Sequence, residues 1–472
     1  MRRYPIIVLL LLSFVWVTAL FTGCEKWLDI APKGKLIPKT VDDFDQMLNA
    51  DELCKLSYSQ ALYLTDEVFL PAEVDDVGLG VKGISGMPEG RMYSYETGNY
   101  YTESDDDSYY AAAYRRIYSY NVIAANVMQA SGDAQRARAL RAEALCGRAM
   151  EYLLLINLYA PHYDAGTASA SYGVPLVLGT DLETEQLPKA SVAEVYAQVE
   201  KDLREALQDL PGTPAHGTPL RFSRLAAKAY LAKAAFLKGE WANALGLCDE
   251  VLAERNGLHD WTKNQMLEPT MLYTDFPNVL DNEENILLRY PDYAYGLSGY
   301  TYCPPSLLSL YDQTNDQRYV FQFSDSYEGI PLSDPSKRFY ASLLIFSSGI
   351  GIGDVYLMAA ECKVRLGDAQ GGMDLVNALR DSRIVSNTPL TASSREEALR
   401  LVLEERRREL YNHSVERLID IKRLAKEAST RVEVRHELPG GVTVEVDGND
   451  SRLVLPVPPS VLRFNRAMKM RG

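Results

Sequence analysis

The sequence predicts a mainly α fold, a scaffold of helical hairpins on the tetratricopeptide-like plan, with a loop-rich face and a small β-ribbon near the C-terminus. Three observations carry this expectation. Residues 221–253, RFSRLAAKAYLAKAAFLKGEWANALGLCDEVLA, read as two helices joined near Gly239, the first rich in alanine. Residues 353–383 repeat that plan with a turn at Gly367, and Val355, Met358, Ala359, Cys362 and Leu366 form one stripe. Small residues on such stripes let paired helices approach closely. Residues 431–455 instead alternate apolar and polar side chains around Pro-Gly-Gly and Asp-Gly turns, which predicts a two-stranded ribbon.

The elements follow in order. Arg2 and Arg3 precede an uninterrupted apolar run, residues 6–20, and the small residues Thr22 and Gly23 stand directly before Cys24. Residues 1–23 are therefore expected to be a lipoprotein signal peptide, with Cys24 acylated as the mature N-terminus. Residues 105–130, rich in Tyr and Ala, have a helical pattern. From 145 to 159, Leu145, Arg148, Ala149, Tyr152, Ile156 and Tyr159 share a helix face. Tyr172 to Val177 read as extended under a turn. Ser191 opens an amphipathic helix with an S-x-x-E capping box, ending before Pro211. Residues 254–350 hold Tyr, Pro, Asn and Asp with weak periodicity, and loops of that length in a helical body are usually functional. In residues 398–424, Leu399, Val402, Leu403, Arg406 and Leu410 share one face, which places Arg406 among core residues, as Arg148 is in its own stripe. Buried guanidinium groups require carboxylates, and Glu143 and Glu361 are the candidates for this structural charge network.

Composition limits the function. The chain has 472 residues, 49 basic against 64 acidic, for a net charge of −15. Such acidity opposes binding to phosphate backbones, so no nucleic-acid partner is expected. Thirty tyrosines are the outlier, and tyrosine suits a surface that both stacks and hydrogen-bonds. Six widely spaced cysteines and five scattered histidines form no zinc or triad pattern, and no P-loop, G-x-S-x-G or H-E-x-x-H occurs. No cofactor, metal or catalytic residue is expected. GIGIGD (349–354) reads as a hinge, and the acidic run 103–110 reads as a helix N-terminus in preference to a calcium site.

The motifs CEKWLDIAPKG, TVDDFDQMLN (40–49), IYSYNVIAANVM (117–128), RAEALCGRAMEYLLLINLYA (141–160) with YGVPLV, DVYLMAAE (354–361), LEERRREL (403–410) and LVLPVPPSVL (453–462) recur in order. In that order and spacing the chain resembles the SusD/RagB family of outer-membrane nutrient-uptake lipoproteins of Bacteroidetes. The resemblance implies a SusD-like domain over 24–472, with an N-terminal part to 230 and a C-terminal SusD/RagB part from about 231. It implies a non-catalytic, lipid-anchored, surface-exposed protein that hands a glycan to a SusC-like TonB-dependent transporter. A peptide ligand, or a purely structural adaptor role, are the alternatives. Its ligand-binding candidates are Arg91, Tyr93, Tyr95, Asn99, Tyr100 and Tyr101 in one cluster, after TDEVFLPAEVDD (65–76), and Tyr290, Tyr293, Tyr295, Tyr300 and Tyr302 in another.

Overall fold

The computed structural model describes residues 38–56, 59–181, 187–268, 273–290, 301–327, 330–340, 349–411, 415–465 and 467–468. Cys24, the expected signal peptide, Tyr293, Tyr295 and Tyr300 lie outside them.

Ten helices of eight or more residues carry the described structure: α1 (Val41–Leu48), α2 (Ser108–Asn126), α3 (Ala134–Tyr159), α4 (Val192–Ala206), α5 (Arg224–Lys238), α6 (Trp241–Glu254), α7 (Ile352–Arg365), α8 (Ala369–Asp381), α9 (Arg395–Glu409) and α10 (Glu416–Leu424). Their starts follow local chemistry. Thr40 and Ser191 each close a capping box, with Asp43 and Glu194, and the side chains of Asp107, Asp133, Ser223 and Ser394 accept backbone N–H groups left over at helix starts. At the other end of α5, Gly239 takes a left-handed φ of 77°, which is why the chain turns there into α6.

Neighbours in sequence are neighbours in space. α3 packs between α2 and α4, then α4 on α5, α5 on α6, α6 on α7, and α7 on both α8 and α9. This is the stacked-hairpin arrangement predicted from the two alanine-rich repeats. α3 begins at Ala134, well before the stripe from 145. It is the central helix, buried all round from Ala142 to Tyr159, so its full extent is not marked by an amphipathic pattern. Close approach is built in at Gly147, where an added Cβ would lie 2.2 Å from the Tyr120 ring of α2.

The C-terminal ribbon is as expected: β1 (Glu433–Leu438) pairs antiparallel with β2 (Val442–Asp447), and Gly440 and Gly441 supply positive φ values of 80° and 75° in the turn. Among its described residues the long region between the hairpins contributes short strand pairs and two short α-helices, Pro305–Leu308 and Gln317–Gln322. One of the strand pairs joins Asn285–Leu287 to Ile350–Gly351, and a Cβ at Gly349 would sit 1.8 Å from the Leu287 carbonyl oxygen. The GIGIGD stretch is thus a tight strand-to-helix entry, with Gly351 at the N-cap of α7, and not the hinge the sequence predicts. The acidic run 103–110 resolves as the helix start: Asp107 caps α2, while Asp105 accepts the Thr102 amide and hydroxyl and the Arg91 guanidinium.

Candidate functional site

Both tyrosine clusters are tied to one short segment, residues 65–76. Phe69 exchanges backbone hydrogen bonds with Tyr302 at 2.8 and 3.0 Å, and the Leu70 amide donates to the Tyr93 hydroxyl at 3.3 Å. Asp75 accepts the Tyr302 hydroxyl at 2.7 Å and the Lys337 ammonium at 2.9 Å, and that ammonium stands 4.5 Å over the Tyr302 ring. At the other end of the segment, Arg417 grips Asp66 bidentately at 2.6 and 2.7 Å and Arg407 adds a contact at 3.0 Å. Burial opposes ionisation of Asp66, yet these two cations hold its carboxyl well below the usual carboxylate range. Its neighbour Glu67 lacks such a grip, and burial pushes it up to about 8. The segment is therefore a rigid spine between the helical scaffold and the loops.

The first cluster lies inside the protein. Tyr93, Tyr95, Tyr100 and Tyr101 are each 1–2% exposed. His436 of β1 is stacked between Tyr93 and Tyr95, with ring centroids 3.9 and 5.2 Å away and interplanar angles of 3° and 13°. Its two ring nitrogens lie 2.7 Å from the Tyr93 carbonyl oxygen and 3.0 Å from that of Thr65. The tyrosine hydroxyls are committed as well: Tyr95 donates to Leu64 O at 2.9 Å, Tyr100 to Arg452 O at 2.7 Å and Tyr101 to Asp107 at 2.8 Å. Burial pushes the Tyr93 phenol up to about 12. Arg91 staples the loop from within, donating to the Tyr100 and Gly86 carbonyls at 2.6 and 3.0 Å and to Asp105. Asn99, exposed, donates to Val457 O at 3.2 Å and accepts the Tyr101 amide at 2.9 Å.

As placed, then, these four rings offer no open face to a ligand. The C-terminal ribbon covers Tyr93 and Tyr95, and Arg452 meets Tyr95 and Tyr100; a partner some 340 positions away is invisible to local pattern. Positive φ at Tyr95, 48°, is the sign of a backbone held in place by that cover. In the second cluster Tyr302 is 1% exposed and packs on Phe339, with centroids 4.7 Å apart, whereas Tyr290 is half-buried. Tyr290 is itself anchored, its amide donating to Cys54 O and its carbonyl accepting from Leu56 N.

The expected charge network exists with other pairings. Arg148 is bidentate to Asp202 of α4 at 2.8 and 2.7 Å and reaches Asn121 at 2.9 Å. Glu143 instead holds Arg221 at 2.7 and 2.8 Å, and Glu361 holds Arg423 at 2.6 and 2.8 Å. Arg406 bonds Asp420 at 2.9 Å and Glu416 at 2.7 Å. Carboxylates on neighbouring helices, and not those nearest in pattern, meet each guanidinium. Sequence reasoning also missed Asp66, Arg407, Arg417 and His436, although Arg407 and Arg417 follow Arg406 in the same charged stretch. Among the described residues no group of three His, Cys, Asp or Glu is placed to hold a metal ion, and no helix is long and apolar enough to cross a membrane.

Comparison with known proteins decides the family. Residues 26–236 match a SusD-like family described as starch-binding and associating with the outer membrane, and residues 350–468 match the SusD family itself, SusD_RagB. The chain belongs to the SusD/RagB family. SusD-like protein P2 of Formosa agariphila is 25% identical over 358 residues, spanning 72% of this chain and 62% of that relative. Among solved structures, a SusD superfamily protein of Bacteroides thetaiotaomicron aligns over 91% of this chain and 99% of its own at 18% identity and a TM-score of 0.68. A SusD-like carbohydrate binding protein of Bacteroides vulgatus aligns over 92% and 98% at 18% identity and 0.65. A laminarin binding SusD-like protein aligns over 91% and 98% at 18% identity and 0.64. At such identities the solved structures establish a common SusD fold. The helical-hairpin scaffold with few short strands is that fold.

Proposed function

We propose that this SusD-family protein is a cell-surface lipoprotein, anchored through Cys24, that binds a polysaccharide or oligosaccharide and passes it to a SusC-like TonB-dependent transporter without catalysis. The observation that carries the reading is the attachment of both tyrosine-rich loops to the single rigid segment 65–76, in a family described as starch-binding. A rigid spine that carries aromatic loops suits sugar recognition, because C–H faces of a sugar stack on rings while hydroxyls take polar partners. The laminarin binding of one structural neighbour supports a glycan ligand.

With Tyr93, Tyr95, Tyr100, Tyr101 and Tyr302 buried, the candidates that remain for stacking are Tyr290, Tyr293, Tyr295 and Tyr300, and the polar candidates are Asn99 and Arg91. The test is thermal melting of the chain from residue 25 onward against a glycan panel and a peptide pool. A glycan class that raises Tm, and loses that effect in the triple Tyr293→Ala, Tyr295→Ala, Tyr300→Ala variant, is the expected result. Stabilisation by peptides alone, or a triple variant that binds glycan normally, contradicts it. Palmitate labelling of the wild type but not of Cys24→Ala tests the anchor.

A further inference from the structure

A cleft of about 690 Å³ runs along α9, far in sequence from the tyrosine loops. Glu396, Leu399, Arg400, Leu403, Glu404 and Arg407 form its α9 wall, at the spacing of one helix face. The facing wall comes from Arg417, Leu424 and residues 427–432, with Leu310 between. The stripe from 396 to 407 spans about 16 Å at 1.5 Å per residue, the length of about five extended residues.

Two features of this cleft point to an occupant. Arg407 and Arg417, with side chains 11% and 10% exposed, both line it and share the single carboxylate of Asp66. Each uses Nη2 on Asp66 or its carbonyl, and Arg417 also uses Nε. Neither Nη1 makes a hydrogen bond among the described residues, and Nε of Arg407 is buried without a partner. Glu67, the other carboxyl beside them, is held largely protonated at pH 7 by burial. Asp420, which also faces Arg417, is taken by Arg406 and Arg423. Two cations thus share one anion at the floor of an open cleft. On the rim, Glu404 and Glu427 are already paired with Arg400 and Arg365 at 2.7 and 2.6 Å.

The second feature is the apolar lining. Half-buried Leu310, Leu403 and Val432 and the more deeply buried Leu399 and Leu424 form its aliphatic lining, and among the described residues no aromatic ring lines the cleft. A sugar would find no stacking platform here, whereas peptide side chains would find apolar contact. We infer that this cleft is a docking slot for an acidic peptide segment of a partner protein, an aspartate or glutamate of which is received by the free Nη1 groups of Arg407 and Arg417 between leucine walls. A carboxylate there would supply the missing counter-charge through charge-assisted hydrogen bonds.

The inference is independent of the glycan reading. Its test uses the chain from residue 25 onward and two labelled pentapeptide amides, Leu-Leu-Glu-Leu-Leu and its glutamine counterpart, in a fluorescence polarisation titration. The glutamate peptide is expected to bind at least about tenfold tighter than the glutamine peptide, about 1.4 kcal/mol. Leu403→Glu, which places a carboxylate in the cleft at some cost in melting temperature from its packing on α7 and α8, is expected to abolish the preference while leaving any glycan-induced shift unchanged. Arg407→Lys, which keeps the charge and loses the fork, is expected to weaken the glutamate peptide by a similar factor. Equal binding of the two peptides, or a Leu403→Glu variant that retains the preference, overturns the proposal. So does displacement of the peptide by a glycan that stabilises the protein.

Discussion

Replacing Arg406 by Met probes the buried charge network most sharply. Arg406 is 2% exposed, and its guanidinium lies 5.4 Å from the centre of the Phe236 ring. It donates from Nε to both oxygens of Asp420, at 3.2 and 2.9 Å, and from Nη2 to Glu416 at 2.7 Å. Methionine fills part of the volume but returns none of these bonds. Removing one partner from a buried pair costs about 3–5 kcal/mol, because the other charge stays behind in a poor solvent. Here each carboxylate keeps a second cation: Arg423 bonds Asp420 at 2.7 Å, and Lys233 contacts Glu416. The cost should therefore fall at the low end, about 3 kcal/mol. Urea unfolding followed by circular dichroism measures it, and the double variant with Asp420→Asn should show a coupling of about 1 kcal/mol or more. Arg406→Met with stability within about 0.5 kcal/mol of wild type would mean that the network carries no net stabilisation, and would refute the reasoning.

Further predictions concern titration and packing. Glu67, pushed up to about 8 by burial, binds a proton in the folded state between its ordinary 4.5 and 8 that the unfolded chain has lost. Its contribution to stability is present below 4.5 and fades as pH rises to 8, so Glu67→Gln should flatten the stability–pH curve in that window. Lys422 behaves in the opposite sense. Its ammonium donates to Asn157 O and Ala160 O at 2.6 and 2.7 Å, and burial pushes it down to about 7. The unfolded chain then holds more protons between 7 and 10.5, so stability should rise with pH there, by up to about 1.4 kcal/mol per unit, and Lys422→Met should remove the slope. Gly147→Ala drives a methyl into the Tyr120 ring and should cost about 1–3 kcal/mol of unfolding free energy, whereas Gly246→Ala, whose site is open, should not. Tyr93→Ala should lower Tm through lost packing, about 3 kcal/mol, without a direct effect on ligand contacts.

The legible parts of this molecule were those written in local chemistry. Ser191 and Glu194 predicted the start of α4, Gly239 and Gly367 the hairpin turns, and alternation around Gly440 the ribbon. Arg406 on an apolar stripe announced a buried guanidinium. What stayed hidden depends on contacts across the chain. The stripe around Arg148 does not reveal that Asp202 answers it in place of Glu143, because either carboxylate satisfies the same requirement. A tyrosine in a loop reads as a binding platform until His436 and Arg452 are folded over it, and nothing in residues 91–101 encodes that cover. The GIGIGD stretch shows the same limit, since glycine permits a hinge and a close strand approach equally well.

The central claim, that this SusD-family chain is a glycan-binding surface protein without catalysis, is tested most directly by calorimetric titration of the chain from residue 25 with a set of purified polysaccharides, followed by product analysis of the same mixtures. The account predicts saturable binding of at least one glycan class, recovered chemically intact, and loss of that binding in the Tyr293, Tyr295, Tyr300 triple alanine variant. No saturable heat from any of the polysaccharides, or cleavage of the bound glycan, would contradict it.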